Sequence, residues 1–255
     1  FNAGVDFGIL NGRIRLTADW YSKLSKDILL DLAQPTHMGF PSLLMNSGEI
    51  KNTGIEFTIS ADPFTGKGFS WHTDVTLSHN KGTFNSIPTA NHRQQQAGSF
   101  QNQLFQMIEG EKLGTFWGYT FGGIWQEDEV NAPFVDANGQ TNGKTNGEVY
   151  KVVAGNSKYV DTNKDGVLND ADQGIIGCGQ PTFNWGWNNS FNYKNFDFSF
   201  FMVGFHGFDI YNATHQMGFN TVSGQNMAAV TPMRDFLNRW TPTNTNTDVP
   251  GFVQG

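Results

Sequence analysis

Phe183, Trp185, Trp187, Phe191 and Tyr193 share one side of an alternating run whose other side holds only Asn184, Gly186, Asn188, Ser190 and Asn192. A period of two places successive side chains on opposite sides of an extended chain, so the run reads as a strand with one aromatic and one polar face. Phe196, Phe198, Phe200 and Met202 repeat the pattern after Lys194-Asn195, which predicts a hairpin. The same device occurs twice earlier. Val5, Phe7 and Ile9 lead into Asn11-Gly12, a dipeptide that favours tight hairpin turns. Ile14, Leu16, Ala18 and Trp20 then alternate with Arg13, Arg15, Thr17 and Asp19. After a Ser-, Gly- and Pro-rich loop at about 22–51, Ile55, Phe57 and Ile59 run to a turn expected at Pro63 to Gly68. Phe69, Trp71, Thr73, Val75 and Leu77 return against Ser70, His72, Asp74, Thr76 and Ser78.

One-sided strands of about ten residues fit two architectures. The apolar faces either pack together in a secreted antiparallel sandwich or face lipid in a transmembrane β-barrel, whose strands need 9–11 residues. Mean hydropathy of −0.41 does not decide between them, because barrel strands average out their lipid-facing and lumen-facing residues. No run approaches the roughly 18 apolar residues of a membrane helix. With 23 Phe, 7 Trp and 30 Gly among 255 residues, β structure is favoured. A net charge of −7 argues against a nucleic-acid partner. The single cysteine, Cys178, cannot form an intrachain disulfide.

The hairpin turns are short and the connections between hairpins are long, an asymmetry typical of outer-membrane barrels. If the strand at 68–79 runs outward and that at 182–193 inward, the hundred residues between them leave and return on one side. The aromatic segment Leu113 to Trp125 then belongs to an excursion rather than to the wall. The expected organisation is wall strands and one long loop in 1–79, an excursion in 80–181, a wall hairpin in 182–206 and a loop region in 207–255. Trp20, Tyr21, Trp71 and Tyr193 near strand ends suit a membrane girdle.

Asp161-Thr-Asn163-Lys-Asp165-Gly166-Val167-Leu168-Asn169-Asp170-Ala-Asp172 carries oxygen donors at positions 1, 3, 5 and 12, glycine at the sharp turn, and Val167 where a backbone carbonyl ligates. Hard donors at this spacing suit Ca²⁺ in a structural role. The same residues also build a loop held by side-chain to backbone hydrogen bonds without an ion. No paired acid and base, nucleophile elbow or zinc helix is present, so no enzyme is expected. Arg13, Arg15, Asp19, Glu56, His72, Asp74, Asn184, Asn188 and Asn192 line a lumen if the strands form a barrel, and are ordinary solvated surface otherwise. Aromatic loops at Phe100 to Phe105 and Phe116 to Trp125 are candidates for stacking on sugars or peptides.

Several blocks resemble, in order and spacing, the C-terminal part of the SusC/RagA family of TonB-dependent outer-membrane transporters of Bacteroidetes. They are Asn46 to Ile59 with its Gly48-to-Phe57 run, Glu109 to Tyr119 with Gly123-Ile124-Trp125, Tyr159 to Asp172, Ile175-Ile176-Gly177, Pro181 to Phe183, and Tyr193 to Asp197. The resemblance implies a portion of a 22-stranded antiparallel barrel with long extracellular loops, in the bacterial outer membrane. It implies import of oligosaccharides or peptides with TonB-derived energy, alongside a SusD-like surface lipoprotein. Neither a plug-like region nor a TonB-contacting segment is recognisable, and the polar end after Arg239 reads as a loop, so a piece of a longer protein is expected. The alternative is a secreted, calcium-stabilised β-rich module that binds glycan.

Overall fold

The computed structural model describes residues 1–33, 36–40, 42–87, 92–94, 104–212 and 234–251. In chain order its elements are β1 (Asn2–Ile9), β2 (Ile14–Ser25), β3 (Leu29–Ala33), β4 (Ser42–Asn46), β5 (Glu49–Gly66), β6 (Phe69–Ser86), β7 (His92–Gln94), β8 (Phe105–Met107), β9 (Thr115–Tyr119) and β10 (Phe121–Ile124). Then follow α1 (Glu127–Asn131), β11 (Pro133–Val135), β12 (Thr141–Thr145), α2 (Asn146–Tyr150), β13 (Ser157–Tyr159), β14 (Gln173–Cys178), β15 (Phe183–Tyr193) and β16 (Phe196–His206). The chain divides into two compact units, Phe1–Phe116 with Gly177–Ile210, and Trp117–Ile176 with Tyr211–Gly255.

The first unit is built on a six-stranded antiparallel sheet of order β1-β2-β5-β6-β15-β16. Its turns are those the sequence demands. Leu10, Asn11 and Gly12 take φ of 54°, 56° and 82°, and Lys194 closes the last hairpin at 53°. β6 pairs antiparallel with β15, Trp185 opposite Leu77 and Phe191 opposite Trp71. Two strands about a hundred residues apart in sequence are therefore neighbours, and among the described residues no strand between them joins this sheet.

Opposed residues share a face. Leu16, Ile59, Val75, Trp187 and Met202 form one row of the apolar face, and Asp19, Glu56, Ser78 and Asn184 one row of the polar face. The apolar face is uncovered: Phe7 is 58 % exposed, Phe57 46 % and Phe198 63 %. A water-soluble sandwich buries such residues, whereas a barrel wall presents them to lipid.

Three details differ from the sequence reading. β5 does not turn at Pro63 but continues to Gly66, with a register shift between Ala61 and Phe64 that sets two residues, Asp62 and Pro63, against His72. A bulge is where a strand tolerates proline, which has no N–H to donate to the ladder. β5 and β6 are 18 residues long rather than about ten, and part of the expected 22–51 loop is the β3-β4 hairpin. Finally, strict parity puts Asn189 on the aromatic face and Phe201, Val203 and Phe205 on the polar one.

Where β5 and β6 run past the apolar face, Leu30, Phe84 and Ile87 form a small buried core packed by Ile28, Ile50, Met107 and Leu113. β8 pairs with β7, and Phe105 meets Phe116 edge-on at 5.2 Å between ring centroids.

The second unit has short strand pairs, β10 with β13 and β11 with β12, around buried Ile124, Trp125, Phe134 and Phe236. Tyr150 packs its ring between Trp125, tilted at 35°, and Phe134, edge-on at 75°, with centroids 5.7 Å from each. Reciprocal capping boxes, Gln126 with Glu129 and Thr145 with Glu148, satisfy the first N–H groups of α1 and α2.

Candidate functional site

The polar face of the sheet gathers most of the residues assigned to a lumen. Arg15, Asp19, Glu56, His72, Asp74, Asn184, Asn188 and Asn192 all project to this side, as the register of β2, β5, β6 and β15 requires. Arg13 differs: it sits in the β1-β2 turn, and its guanidinium donates to the carbonyls of Asp62 and Pro63, the latter at 2.8 Å. It clamps the bulge rather than lining a strand.

The bulge creates the densest polar cluster on this face. Asp62 Oδ1 lies 2.7 Å from His72 Nδ1, and Asp74 Oδ2 lies 3.0 Å from His72 Nε2. Ser60 Oγ donates to Asp74 Oδ1 at 2.5 Å, and Asn188 Nδ2 to Asp74 Oδ2 at 3.3 Å. The serine bonds to a carboxylate and not to the imidazole, so the relay that activates a nucleophile is not assembled. What the cluster does is tie β5, β6 and β15 together with charge on a wall that faces away from the apolar side. Asp62 escaped sequence reasoning because the bulge decides its direction; the signal was Pro63 inside a strand pattern.

On the opposite face, Asn189 is 1 % exposed among aromatics, and its Oδ1 accepts from Trp71 Nε1 at 3.1 Å. Trp187 Nε1 donates to Thr73 Oγ1 at 3.0 Å beside it. The apolar face thus satisfies these two indole donors from within, which lipid cannot do.

The 161–172 loop belongs to the second unit and closes on itself. Asp161 accepts from the N–H groups of Lys164 and Gly166, Asn163 from Asp165, and Asp165 from Val167. The Val167 carbonyl accepts from Asn169 Nδ2, and buried Asp172 accepts from Thr162 and Asn169. The Asn169 N–H, joined by those of Thr162 and Asn163, holds the Asp172 carboxyl below the usual carboxylate range despite its burial. Among the described residues no three His, Cys, Asp or Glu side chains gather as metal ligands. The negative field of the loop nevertheless converges on Tyr150, whose hydroxyl donates to Asp161 at 2.8 Å. Burial first, then Asp161, Asp165 and Asp172, push that phenol well above its ordinary value.

Of the loop aromatics, Phe116 and Trp125 are buried and pack their own surroundings, while Phe121 stays 47 % exposed. Phe100 lies outside the described residues. Lys158 sits 4.8 Å over the Trp125 ring and 2.6 Å from Glu129. Burial pushes Glu129 upward, but Lys158 and the Gln126 N–H outweigh it and hold the carboxyl below the usual range.

No protein-family model matches the chain. It is 32 % identical over 251 residues to TonB-dependent receptor P3 of Formosa agariphila, covering 97 % of this chain and 23 % of that protein. It is 27 % identical over 204 residues to TonB-dependent receptor SusC of Bacteroides thetaiotaomicron, covering 78 % of this chain and 18 % of that one. The structure of the RagAB peptide transporter superposes over 98 % of this chain and 25 % of its own, with a TM-score of 0.71 at 20 % identity, which shows a shared fold. The chain spans about a quarter of the length of the relatives it matches.

Lipid-ready aromatics on one face, a hydrogen-bonded polar face behind them and a barrel fold define the class: this is wall from an outer-membrane β-barrel. Within that class, the chain is similar over nearly its whole length to TonB-dependent receptors, SusC among them, and these matched proteins are receptors rather than enzymes.

Proposed function

We propose that this chain is the wall and loop portion of an active importer that carries oligosaccharides or peptides across the outer membrane with TonB-derived energy, working with a SusD-like surface lipoprotein. The observation that carries the reading is the uncovered apolar face of a single-layer sheet, together with the match of nearly the whole chain to TonB-dependent receptors. In this arrangement the polar face, with its Asp62–His72–Asp74 cluster, lines the transport path. The excursion between β6 and β15 and the residues after β16 lie outside the cell, where substrate and lipoprotein meet the barrel. The secreted-module alternative requires a closed core, and the exposed Phe7, Phe57 and Phe198 speak against one in this sheet.

The test is fractionation of the source cells followed by boiled and unboiled gels of the polypeptide containing this sequence. An outer-membrane species much larger than 28.3 kDa that shifts on boiling and co-purifies with a lipoprotein is expected. A soluble species of 28.3 kDa in the medium rejects the importer.

Calcium belongs to the same proposal as a stiffener of the excursion. The side chains of Asp161, Asn163, Asp165 and Asp172 and the carbonyl of Val167 would hold it, the first four turning from backbone N–H groups toward the ion. The spacing of these oxygen donors supports this reading. Calorimetric titration of the full-length receptor with Ca²⁺ is expected to give heat that Asp161→Asn abolishes. Equal heats from both proteins leave the hydrogen-bonded loop as the whole device.

A further inference from the structure

We infer that a cleft in the second unit, lined by Gln126, Glu127, Asp128, Asn131, Trp240 and Asn246, is a binding subsite for an uncharged oligosaccharide. The inference rests on the importer reading and adds the class of nutrient. The cleft has a volume of about 780 Å³, ample for a small ligand.

Its aromatic platform is fixed from three directions. Trp240 Nε1 donates to Gln126 Oε1 at 3.0 Å, and the Trp240 N–H donates to the Val249 carbonyl at 2.8 Å. Behind the ring lie two glycines. A methyl group on Gly155 would sit 2.6 Å from the indole and one on Gly251 3.2 Å, so both positions let backbone press against the ring. Gln126 is held in turn, its Nε2 donating to the Ile124 carbonyl at 3.0 Å, which sets Oε1 toward the tryptophan. An indole held by backbone and by Gln126 in the wall of a cleft offers an aromatic surface for the C–H groups of a pyranose ring.

The polar groups around it select hydroxyls. Glu127 and Asp128 supply carboxylate acceptors, Asn131 spends its Nδ2 on the Glu127 carbonyl and keeps Oδ1, and Asn246 offers both donor and acceptor. A sugar hydroxyl donates and accepts, so it uses both kinds of partner. A cation only donates and leaves the amide N–H groups unmatched. No lysine or arginine lines the cleft, while Glu127 and Asp128 do, so sulfated or uronate chains are repelled.

The test uses the full-length receptor in detergent on an array of neutral hexasaccharides of glucose, xylose and mannose, with oligogalacturonate, a sulfated heparin fragment and a casein digest as the other probes. Retention of at least one neutral chain is expected. Trp240→Ala should weaken it about tenfold or more, with binding recovered in part by Trp240→Phe. Asn246→Ala, on an exposed residue, should weaken it about threefold without touching the platform. The boiled and unboiled gel shift verifies that each variant is folded. Capture of only anionic chains or peptides, or no neutral chain at all, overturns the inference. So does unchanged binding by both Trp240→Ala and Asn246→Ala. A receptor that sits in the outer membrane yet fails on the array rejects the subsite alone. One that retains a neutral chain through Trp240 but is absent from the outer membrane keeps the subsite and rejects the importer.

Discussion

Ile59→Arg and Thr58→Arg, one residue apart in β5, place the same charge on opposite faces of the sheet. Ile59 is 38 % exposed on the apolar face, opposite Leu16 and Val75. Thr58 lies on the polar face between Thr17 and Thr76. From His79, opposite Ile55, back to Phe69, opposite Tyr193, the apolar face takes ten steps of β6. That is about 34 Å of strand, or about 25 Å of height at the usual tilt, the thickness of a barrel's lipid band. Ile59 pairs with Val75 four steps from one end, so an arginine there lies near the midplane. The expected cost is about 2–4 kcal/mol, a thirtyfold to thousandfold shift in the folding equilibrium, against about 1 kcal/mol or less for Thr58→Arg. The assay is denaturant unfolding of the full-length receptor in phospholipid vesicles, followed by tryptophan fluorescence and the gel shift on boiling. Equal losses from the two variants, or a larger loss from Thr58→Arg, would refute the assignment of faces.

Removing the acceptor in Asn189→Ala strands the Trp71 indole N–H beneath lipid and should cost about 1–3 kcal/mol. Trp71→Phe with Asn189→Ala should then cost clearly less than the two losses added, and simple additivity counts against the pairing. Because the folded Asp172 carboxyl lies below its unfolded value of about 3.9, its contribution is present above that pH and lost as pH falls through the folded value. Asp172→Asn should therefore speed protease cleavage of the 161–172 loop at pH 7, and the difference should shrink as pH falls below the unfolded value; a pH-independent difference means the carboxylate is not the cause. Tyr150, shifted upward, stabilises in the opposite sense: its contribution persists below pH ~10 and is lost on further alkalinisation, so Tyr150→Phe should flatten the alkaline limb of the loop's protection. Gly155→Ala meets both a φ of +92° and the Trp240 ring, and should cost about 2 kcal/mol or more with a shift in tryptophan emission; a silent substitution removes the argument for a pinned platform.

The hairpins were legible because each depends on neighbours in sequence. Alternation fixes which side a residue faces, and Asn11-Gly12 and Lys194-Asn195 supply the turn geometry. Features that depend on register across strands were not. Asn189 interrupts the aromatic parity of its own strand, and its partner Trp71 is 118 residues away. Asp62 is aimed by a bulge, and nothing in the local period marks where a ladder slips. In β16 the run Phe200-Phe201-Met202-Val203 is apolar at every position, so period alone could not assign Phe201 and Val203 to the polar face. The Trp240 cleft was hidden for a further reason, since Gln126 joins it to the 240–246 segment by accepting from the Trp240 indole and donating to the Thr245 carbonyl, 114 and 119 residues away in sequence. By contrast the 161–172 motif was plain in sequence, yet a spacing that converges oxygen donors on an ion also converges them on backbone N–H groups.

The lengths of β5 and β6 explain how a hundred-residue excursion can be carried between two adjacent wall strands. Eighteen extended residues reach about 60 Å, roughly twice what a tilted span requires. The surplus is not shared between the two ends. At the turn, Lys67 and Gly68 close the hairpin directly under the Phe69–Tyr193 row, whereas Glu49–Gly54 and Asn80–Ser86 continue past the apolar face at the other end. Composition changes where the lipid band stops: Lys51, Asn52 and Thr53 face Thr83, Gly82 and Lys81 in place of aromatics. Gly82 allows Leu113 and Gln180 to close on the ladder, where a methyl group would sit 2.8 Å from the Leu113 side chain. Just beyond, Phe84 and Ile87 bury themselves with Leu30, a core that lipid does not supply and that the extended ladder makes possible. The paired extension is thus a rigid stalk whose strand ends are hydrogen-bonded to each other before the chain departs. Both Thr83 and Phe84 bridge back to the 109–112 segment, so the departure point is anchored on its own return. The excess length of β5 and β6 therefore sits at the end of the hairpin where Phe84 and Ile87 find their core with Leu30, away from the Lys67-Gly68 turn.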